Sequence, residues 1–315
     1  MQVHFGLENL PKFKNAVITI GTFDGVHAAH QKILNRLNAL AVAVDGESVL
    51  ITFHPHPKHV LQSNQSDLKL LSTPEEKIEL LKRSNIAHLV VIPFTENFSK
   101  QSADDYVEKF LVGKFHPKKI VVGFNHHFGN NRKGNVAILL QAGEQFGFDV
   151  IELEKQMEDE ITISSTSIRN ELQNGNVAAA NKLLGYEYLL MGKVVEGKKL
   201  GRTISFPTAN IEPLMSEKLI PVDGVYVVQM LVGGELHQGM MNIGNRPTVD
   251  GTHRTIEVNV FEFDKNIYGQ MVQIFFHQRI RAEKKFGGLD DLKKQLLMDK
   301  AFANNFFQKK LHHAN

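Results

Sequence analysis

Five short apolar runs in the first half of the chain, "AVITIG", "SVLITF", "AHLVVIPF", "KKIVVGF" and "FDVIEL", are separated by stretches patterned for helices. The runs are β-branched and nearly uninterrupted, as strands covered on both faces must be. After the first run, Ile33, Leu37, Leu40 and Val44 recur at helical spacing. "STPEEKIELL" predicts a helix start, with Thr73 as cap, Pro74 at the first helical position and Glu76 completing a capping box. Ser102 in "SADDYVEKFL" repeats that logic. Strands alternating with helices imply right-handed crossovers and a doubly wound parallel sheet. Ligands of such sheets bind beyond the carboxyl ends of the strands.

This pattern stops near Leu184. From there strand candidates follow one another directly: "LLMGKVVEG", "TISFPTANI", "GVYVVQMLV", "ELHQGMMNIG", "TIEVNVFEF" and "GQMVQIFFHQRI". Turns such as "VGGEL" and "FDKNIYG" join them. Six hairpin-linked strands favour an antiparallel β-barrel, which leaves no exposed edge. The tail "LDDLKKQLLMDKAFANNFF" returns to helical spacing and is expected to dock on the barrel. "SIRNELQNGNVAAANKLLG" reads as small helices between the halves. The fold class is thus α/β followed by mainly β, in two domains, 1–183 and 184–315. A chain of 315 residues suits two domains of ordinary size.

Composition narrows the chemistry. There is no cysteine, so disulfides, iron–sulfur clusters and thiolate zinc sites are excluded. A formal net charge of +2 without basic runs argues against a nucleic-acid partner. No apolar run approaches the ~20 residues of a membrane helix. The first residues, "MQVHFGLENLPKFKN", lack the order of a signal peptide. The expectation is a cytoplasmic protein with no membrane partner, a monomer or weak homo-oligomer.

The first strand runs into "GTFDGVHAAH". His27 and His30 stand three residues apart, so on a helix they share one face. At a helix start, unpaired N–H groups and the macrodipole favour an anion there. A zinc pair and two structural histidines are the alternatives, although zinc helices prefer an i, i+4 spacing. A second anion element is "TISSTSIRNEL": Ser164, Ser165 and Thr166 open a helix and Arg169 lies one turn in. Taken alone it is equally an ordinary N-cap. "VVGFNHHFGNNRKGN" and "TFHPHPKHV" are polar loops at strand ends; Pro55 and Pro57 are expected to hold His56 in an extended turn. No GxxxxGK[ST] loop and no GxGxxG fingerprint follows the first strand, which sets aside P-loop ATPases and dinucleotide-dependent dehydrogenases. Nucleotidyl transfer remains.

The order GTFDGxHxxH, TFxPHP, VVGxxxxFGxxxxGN, ISSTxIR, from Gly21 to Arg169, resembles the adenylyltransferase half of bacterial FAD synthetases, the bifunctional riboflavin kinase/FMN adenylyltransferases. The resemblance implies that the FMN phosphate attacks the α-phosphate of ATP and pyrophosphate leaves. It makes His27 and His30 catalytic and puts Gly21, Phe23, Asp24, Asn125, Ser164, Thr166 and Arg169 around the nucleotide. His56 and Pro57 would lie at the flavin. Two positions depart from the family pattern. Ala29 stands where glycine precedes the second histidine, and Asn125 where many relatives carry aspartate. The added methyl is expected to alter affinity rather than abolish activity.

In the second half, "GKKLGRTISFPTANI" combines a glycine-bounded basic loop with Thr208 and Asn210, two hard oxygen ligands on one strand face that suit magnesium. A lone "TAN" is otherwise a turn. Glu257 alternates with Ile256 and Val258, and a solvent-facing glutamate is the plain reading. GxxxGRxxxFPTAN, DGVY, NIGxRPT, the strand glutamate and "RIRAEKKF" resemble the riboflavin kinase module over Met191 to Phe286. The resemblance implies Mg2+ on Thr208 and Asn210, Glu257 as base toward the ribityl hydroxyl, Gly201 and Arg202 in a flap over the ATP phosphates, and Arg281 near the flavin. ATP, riboflavin and FMN are then the small-molecule partners. A kinase with an impaired adenylyltransferase half, or a flavin-binding protein without activity, are the rival readings.

Overall fold

The computed structural model describes residues 1–61, 67–123, 126–153, 163–197, 201, 204–248 and 251–312. The chain divides into two compact units, Met1–Lys69 with Lys77–Ser164, and Leu70–Glu76 with Ser165–Asn315.

The first unit is a six-stranded sheet in the order β1-β4-β3-β2-β5-β6, with every pair parallel. β2 (Val17–Ile20), β3 (Ser48–His54), β4 (His88–Pro93), β5 (Lys119–Gly123) and β6 (Asp149–Leu153) are the five runs read from sequence. β1 (Gln2–Phe5) is an addition. It is short and half-exposed at the sheet edge, so it lacks the apolar run that marks a strand buried on both faces. Residues of β2 through β5 fill a core with Phe110, Phe115 and Leu139 from the flanking helices. On the helix Ala28–Ala43 the buried stripe is Leu34, Leu37 and Ala41. Ile33, Leu40 and Val44 flank it half-buried, because the helix lies rotated from the spacing read in the sequence. The chain leaves β2 toward β3 on one side and returns to β5 on the other. The carboxyl end of β2 is therefore the switch point of the sheet, where doubly wound folds bind ligands.

The second unit contains a closed barrel, in the order β10-β11-β8-β7-β12-β9, with every pair antiparallel. Its strands are β7 (Tyr188–Val195), β8 (Ala209–Pro213), β9 (Gly224–Val232), β10 (Glu235–Thr248), β11 (Gly251–Val260) and β12 (Met271–Arg281). Tyr226, Val228, Met241, Ile256, Val258 and Ile274 point inward. Ile168, Leu172, Val177, Ala180 and Leu184 from the helices Ser165–Gln173 and Val177–Leu184 join that cluster. These helices go with the barrel by packing, whereas the sequence division at residue 184 follows the change in patterning. The terminal helix, Leu289–His312, packs Ala303 and Phe307 on Val227 and Met240 of the barrel's outer face. Asp299 of this helix, itself buried, takes a bidentate contact from Arg281, with Nη2 at 2.8 Å and Nε at 3.0 Å.

The segment Leu70–Glu76 belongs to the barrel unit: Leu70 bridges to Lys218, Leu71 joins the core and Glu76 enters a buried ion pair. Lys218 Nζ donates to Glu76 Oε2 at 2.7 Å and to the carbonyls of Leu71 and Leu189. Glu76 also accepts from the backbone N–H groups of Thr73 and Met191, so the expected capping box forms and is extended. Both side chains are almost wholly buried, at 1% and 0% exposure. Lys218→Met leaves the carboxylate in place without its cation. It is expected to destabilise the second unit by about 3–5 kcal/mol, read as a fall in the urea midpoint. An unchanged midpoint would refute this weight for the pair.

Candidate active site

In the first unit the chain leaves β2 through a strained turn. Gly21 donates its N–H to the carbonyl of Ile51. Phe23 (φ 45°), Gly25 (φ 81°) and Val26 (φ 39°) all have left-handed backbone. That conformation is rare for a β-branched residue and persists where surrounding contacts enforce it, commonly at functional sites. Phe23, Asp24 and His27 are buried. His27 caps the helix Ala28–Ala43: its Nδ1 accepts from the His30 N–H at 3.4 Å. The two imidazoles stack with centroids 3.6 Å apart and planes 15° from parallel, and Phe23 lies 4.6 Å from the His30 ring. The i, i+3 pair thus meets on one face at the start of the helix. Burial, then His27, then Lys77 hold the His30 pKa well below the ordinary imidazole value, so this ring is neutral near pH 7. It can donate one N–H to a phosphate but brings no charge. Ala29 is in the first turn with helical backbone, so the position needs no glycine conformation and the methyl costs only space.

One member of this site escaped the sequence reading. Lys77, in the helix Pro74–Leu81, donates to the Thr22 carbonyl at 2.7 Å and to Thr52 Oγ1 at 3.3 Å. A contact across 55 residues leaves no local signal.

The other expected residues of the first half fall as follows. Pro57 does not block regular structure, against the expectation from sequence. Pro57 opens the short helix Pro57–Leu61, and His56 Nδ1 accepts from the Lys58 N–H at 3.1 Å. Proline suits a first helical position, which is why this pair starts a helix rather than blocking one. Ser164 ends the first unit, and Thr166 and Arg169 lie in the helix Ser165–Gln173 of the second. Asn125 lies outside the described residues. Among the described residues no group of three or more histidines or carboxylates could hold a metal ion.

In the second unit, Glu257 is not solvent-facing; its exposure is 9%. The barrel's outer face at β11 is covered, which the alternation of Ile256, Glu257 and Val258 could not reveal. Thr208 Oγ1 donates to Glu257 Oε2 at 3.1 Å. Asn210 is the cross-strand partner of Glu257 on β8, so the two share a face. Thr208 itself precedes β8, which starts at Ala209 rather than running through the whole of "TISFPTANI". Gly197 makes room for Asn210: a Cβ there would lie 2.1 Å from Asn210 Nδ2. A side chain at Gly201 would strike the Phe206 carbonyl at 2.1 Å. Arg202 lies outside the described residues.

Two cavities meet at this segment. One, of about 380 Å³, is lined by Asn242, Glu257 and Asn259 on the polar side and by Phe286, Leu292 and Leu296 on the apolar side. The other, of about 400 Å³, is lined by Pro207, Val258, Phe263, Asn266 and Tyr268. Thr208 lines both. Asn259 supports the junction by donating to the Pro207 carbonyl at 2.7 Å. Its spacing of two from Glu257 was the available clue. Arg281 borders the first cavity, but its guanidinium is engaged by Asp299 and the Ala282 carbonyl.

The comparisons with known proteins match both units. Residues 10–167 match the FAD synthetase family model and residues 184–307 the riboflavin kinase model. The bifunctional riboflavin kinase/FMN adenylyltransferase of Haemophilus influenzae is 38% identical over 98% of this chain and 99% of its own. The chain belongs to the bifunctional riboflavin kinase/FMN adenylyltransferase family. The Bacillus subtilis member is 36% identical over 93% of this chain and 92% of its own. A solved Streptococcus pneumoniae structure described as a macrolide-efflux protein shares the fold, with a TM-score of 0.85 and 32% identity over 96% of this chain and 99% of that one. For this family, two separate phosphate chemistries are expected in one chain. The α/β unit and the barrel unit each present a polar site of its own.

Proposed function

We propose that residues 184–315 phosphorylate riboflavin with ATP to give FMN, and that residues 1–183 adenylylate FMN with ATP to give FAD and pyrophosphate. The observation that carries the kinase assignment is Thr208, which lines both barrel cavities and is hydrogen-bonded to Glu257. The cavity beside Glu257, polar on one wall and apolar on the other, suits a flavin with its ribityl chain toward the carboxylate. The cavity beyond Thr208 suits ATP. Glu257 then accepts the proton of the ribityl 5′-hydroxyl as that oxygen attacks the γ-phosphorus and ADP leaves. The oxygens of Thr208 and Asn210, beside a carboxylate, are a hard donor set that fits Mg2+. A magnesium ion held there would neutralise charge on the phosphates. Arg281 serves by fixing the terminal helix, whose leucines wall the flavin cavity, rather than by reaching the flavin directly.

In the first unit, an oxygen of the FMN phosphate attacks the α-phosphorus of ATP and pyrophosphate departs. No proton has to be moved, so positioning and charge stabilisation are the protein's contribution. The stacked imidazoles at a helix start, that of His30 neutral, supply N–H donors and a favourable dipole. Gly21, Phe23 and Asp24 shape the turn beneath them, and Ser164, Thr166 and Arg169 are assigned to the nucleotide phosphates. His56 and Pro57 are assigned to the flavin. Among the described residues no helix is long and apolar enough to cross a membrane, and we assign the enzyme to the cytoplasm.

Purified protein incubated with riboflavin, ATP and Mg2+ is expected to yield FMN and then FAD, resolved by chromatography, and excess EDTA is expected to stop the formation of FMN. FMN without FAD would sink the adenylyltransferase assignment and favour the rival in which Ala29 impairs the first domain. Absence of both products would leave only a flavin-binding protein.

A further inference from the structure

Lys77 is half-buried beside the strained turn. It projects from the helix Pro74–Leu81 and reaches the start of the turn, the carbonyl of Thr22, at 2.7 Å. Thr52, almost fully buried on β3, ties the same carbonyl at 3.1 Å and accepts from Lys77 at 3.3 Å. Two donors, one from β3 and one from the helix Pro74–Leu81, thus close on one backbone oxygen. Next in the chain come Phe23, Asp24, Gly25 and Val26, three of them with left-handed backbone, and then His27. Asp24 is buried at 2% exposure.

A buried carboxylate needs a compensating cation, and a left-handed valine needs its neighbours to hold it. Lys77 meets both needs. Its ammonium is drawn out of water far enough to push its pKa down to about 8, with the Asp24 charge acting in the opposite direction. It therefore stays mostly protonated near pH 7. His30 is neutral, so a positive charge at this turn comes from Lys77, whose field in turn helps hold His30 neutral. Packing alone would not call for a charge here. An apolar side chain would cover Thr52 equally well without the cost of desolvating an ammonium.

We propose that Lys77 is a positioning residue for adenylyl transfer: its ammonium pins the Thr22 carbonyl and balances Asp24, so that the turn presents His27 and His30 to the phosphates. This rests on the assignment of FMN adenylylation to the first unit. Asp24 sits between the pinned carbonyl and the paired histidines, so loss of the ammonium would leave the carboxylate to distort the turn. The binding surface would then be kept while its reactive geometry is lost.

The test uses the full-length chain with two assays on each preparation, riboflavin to FMN and FMN to FAD. Lys77→Met is expected to lower kcat for FAD formation by about 10²-fold, the scale of a displaced stabilising donor. KM for ATP should move by less than about threefold, and riboflavin phosphorylation should stay within about twofold, margins far smaller than that loss. Lys77→Arg, which keeps the charge, is expected to recover at least about tenfold of the loss. Adding Asp24→Asn to Lys77→Met is expected to hurt less than the two single losses multiplied, because each residue then lacks the partner it balances. Thr52→Val, a milder change on the same carbonyl, gives a second reading and is expected to lower kcat alone if Lys77→Met does not fold. Near-wild-type kcat in Lys77→Met, or failing that in Thr52→Val, overturns the proposal, and so does a multiplicative double variant. If wild-type protein makes no FAD from FMN, the underlying assignment fails instead.

Discussion

Glu257→Gln is expected to lower riboflavin phosphorylation by about 10²- to 10⁴-fold, the range of a positioned general base. FMN adenylylation by the same molecules should be unchanged. Glutamine keeps the shape and can still meet the Thr208 hydroxyl, which now lies 3.1 Å from the carboxylate, but it cannot take a proton. The loss should therefore fall on kcat, with KM for riboflavin little altered, because the apolar wall assigned to the flavin is untouched. A variant that phosphorylates riboflavin within about threefold of wild type would show that another group removes the proton, since a base contributes far more than that. Loss of both activities would contradict separate sites.

The second large effect is in the other unit. His30→Ala is expected to slow FAD formation by about 10²-fold, as removal of one preorganised donor does, and to leave FMN formation intact. In the proposed role it is a neutral donor, since burial, His27 and Lys77 keep its pKa well below the usual imidazole value. The sign follows directly. A depressed pKa leaves the ring uncharged throughout the neutral range, and a proton is gained only as pH falls well below it. The adenylylation rate should accordingly show no imidazole titration around neutral pH. A rate that falls as pH rises through the ordinary imidazole value would mean that the charged form does the work. Full activity of His30→Ala would remove this residue from the phosphate site. Stacking on His27 at 3.6 Å makes a coupled loss in the double variant expected, because each ring orients the other.

The fold was largely legible because burial on two faces and burial on one face leave different patterns. Uninterrupted "SVLITF" had to be a central strand, and hairpin-spaced runs had to close on themselves. β1 was missed since an edge strand of four residues carries neither pattern. The rotated stripe on Ala28–Ala43 shows that spacing finds a helix but leaves its roll to packing. In the same way, "TISFPTANI" overstated β8: Thr208 lies before the ladder and is useful there because its hydroxyl is free to face Glu257.

Among the site residues, those that act through local geometry were readable. His27 and His30 meet because i and i+3 must meet on a helix, and Thr73 caps because of its offset to Glu76. What the sequence by itself determined is the order of strands and helices, the two-domain division of labour and the identity of the polar residues at strand and helix ends. What only the tertiary structure decided is the state of those residues. The terminal helix packs on the outer face of the barrel, and the alternating glutamate is a buried carboxylate beside a cavity walled by that helix's leucines. Lys77, 55 residues from the Thr22 carbonyl it holds, becomes part of the turn that leads into His27 and His30. Both outcomes depend on desolvation and on contacts between distant segments. Neither has a period in the sequence, since burial of a charge is set by what packs over it and not by its neighbours in the chain.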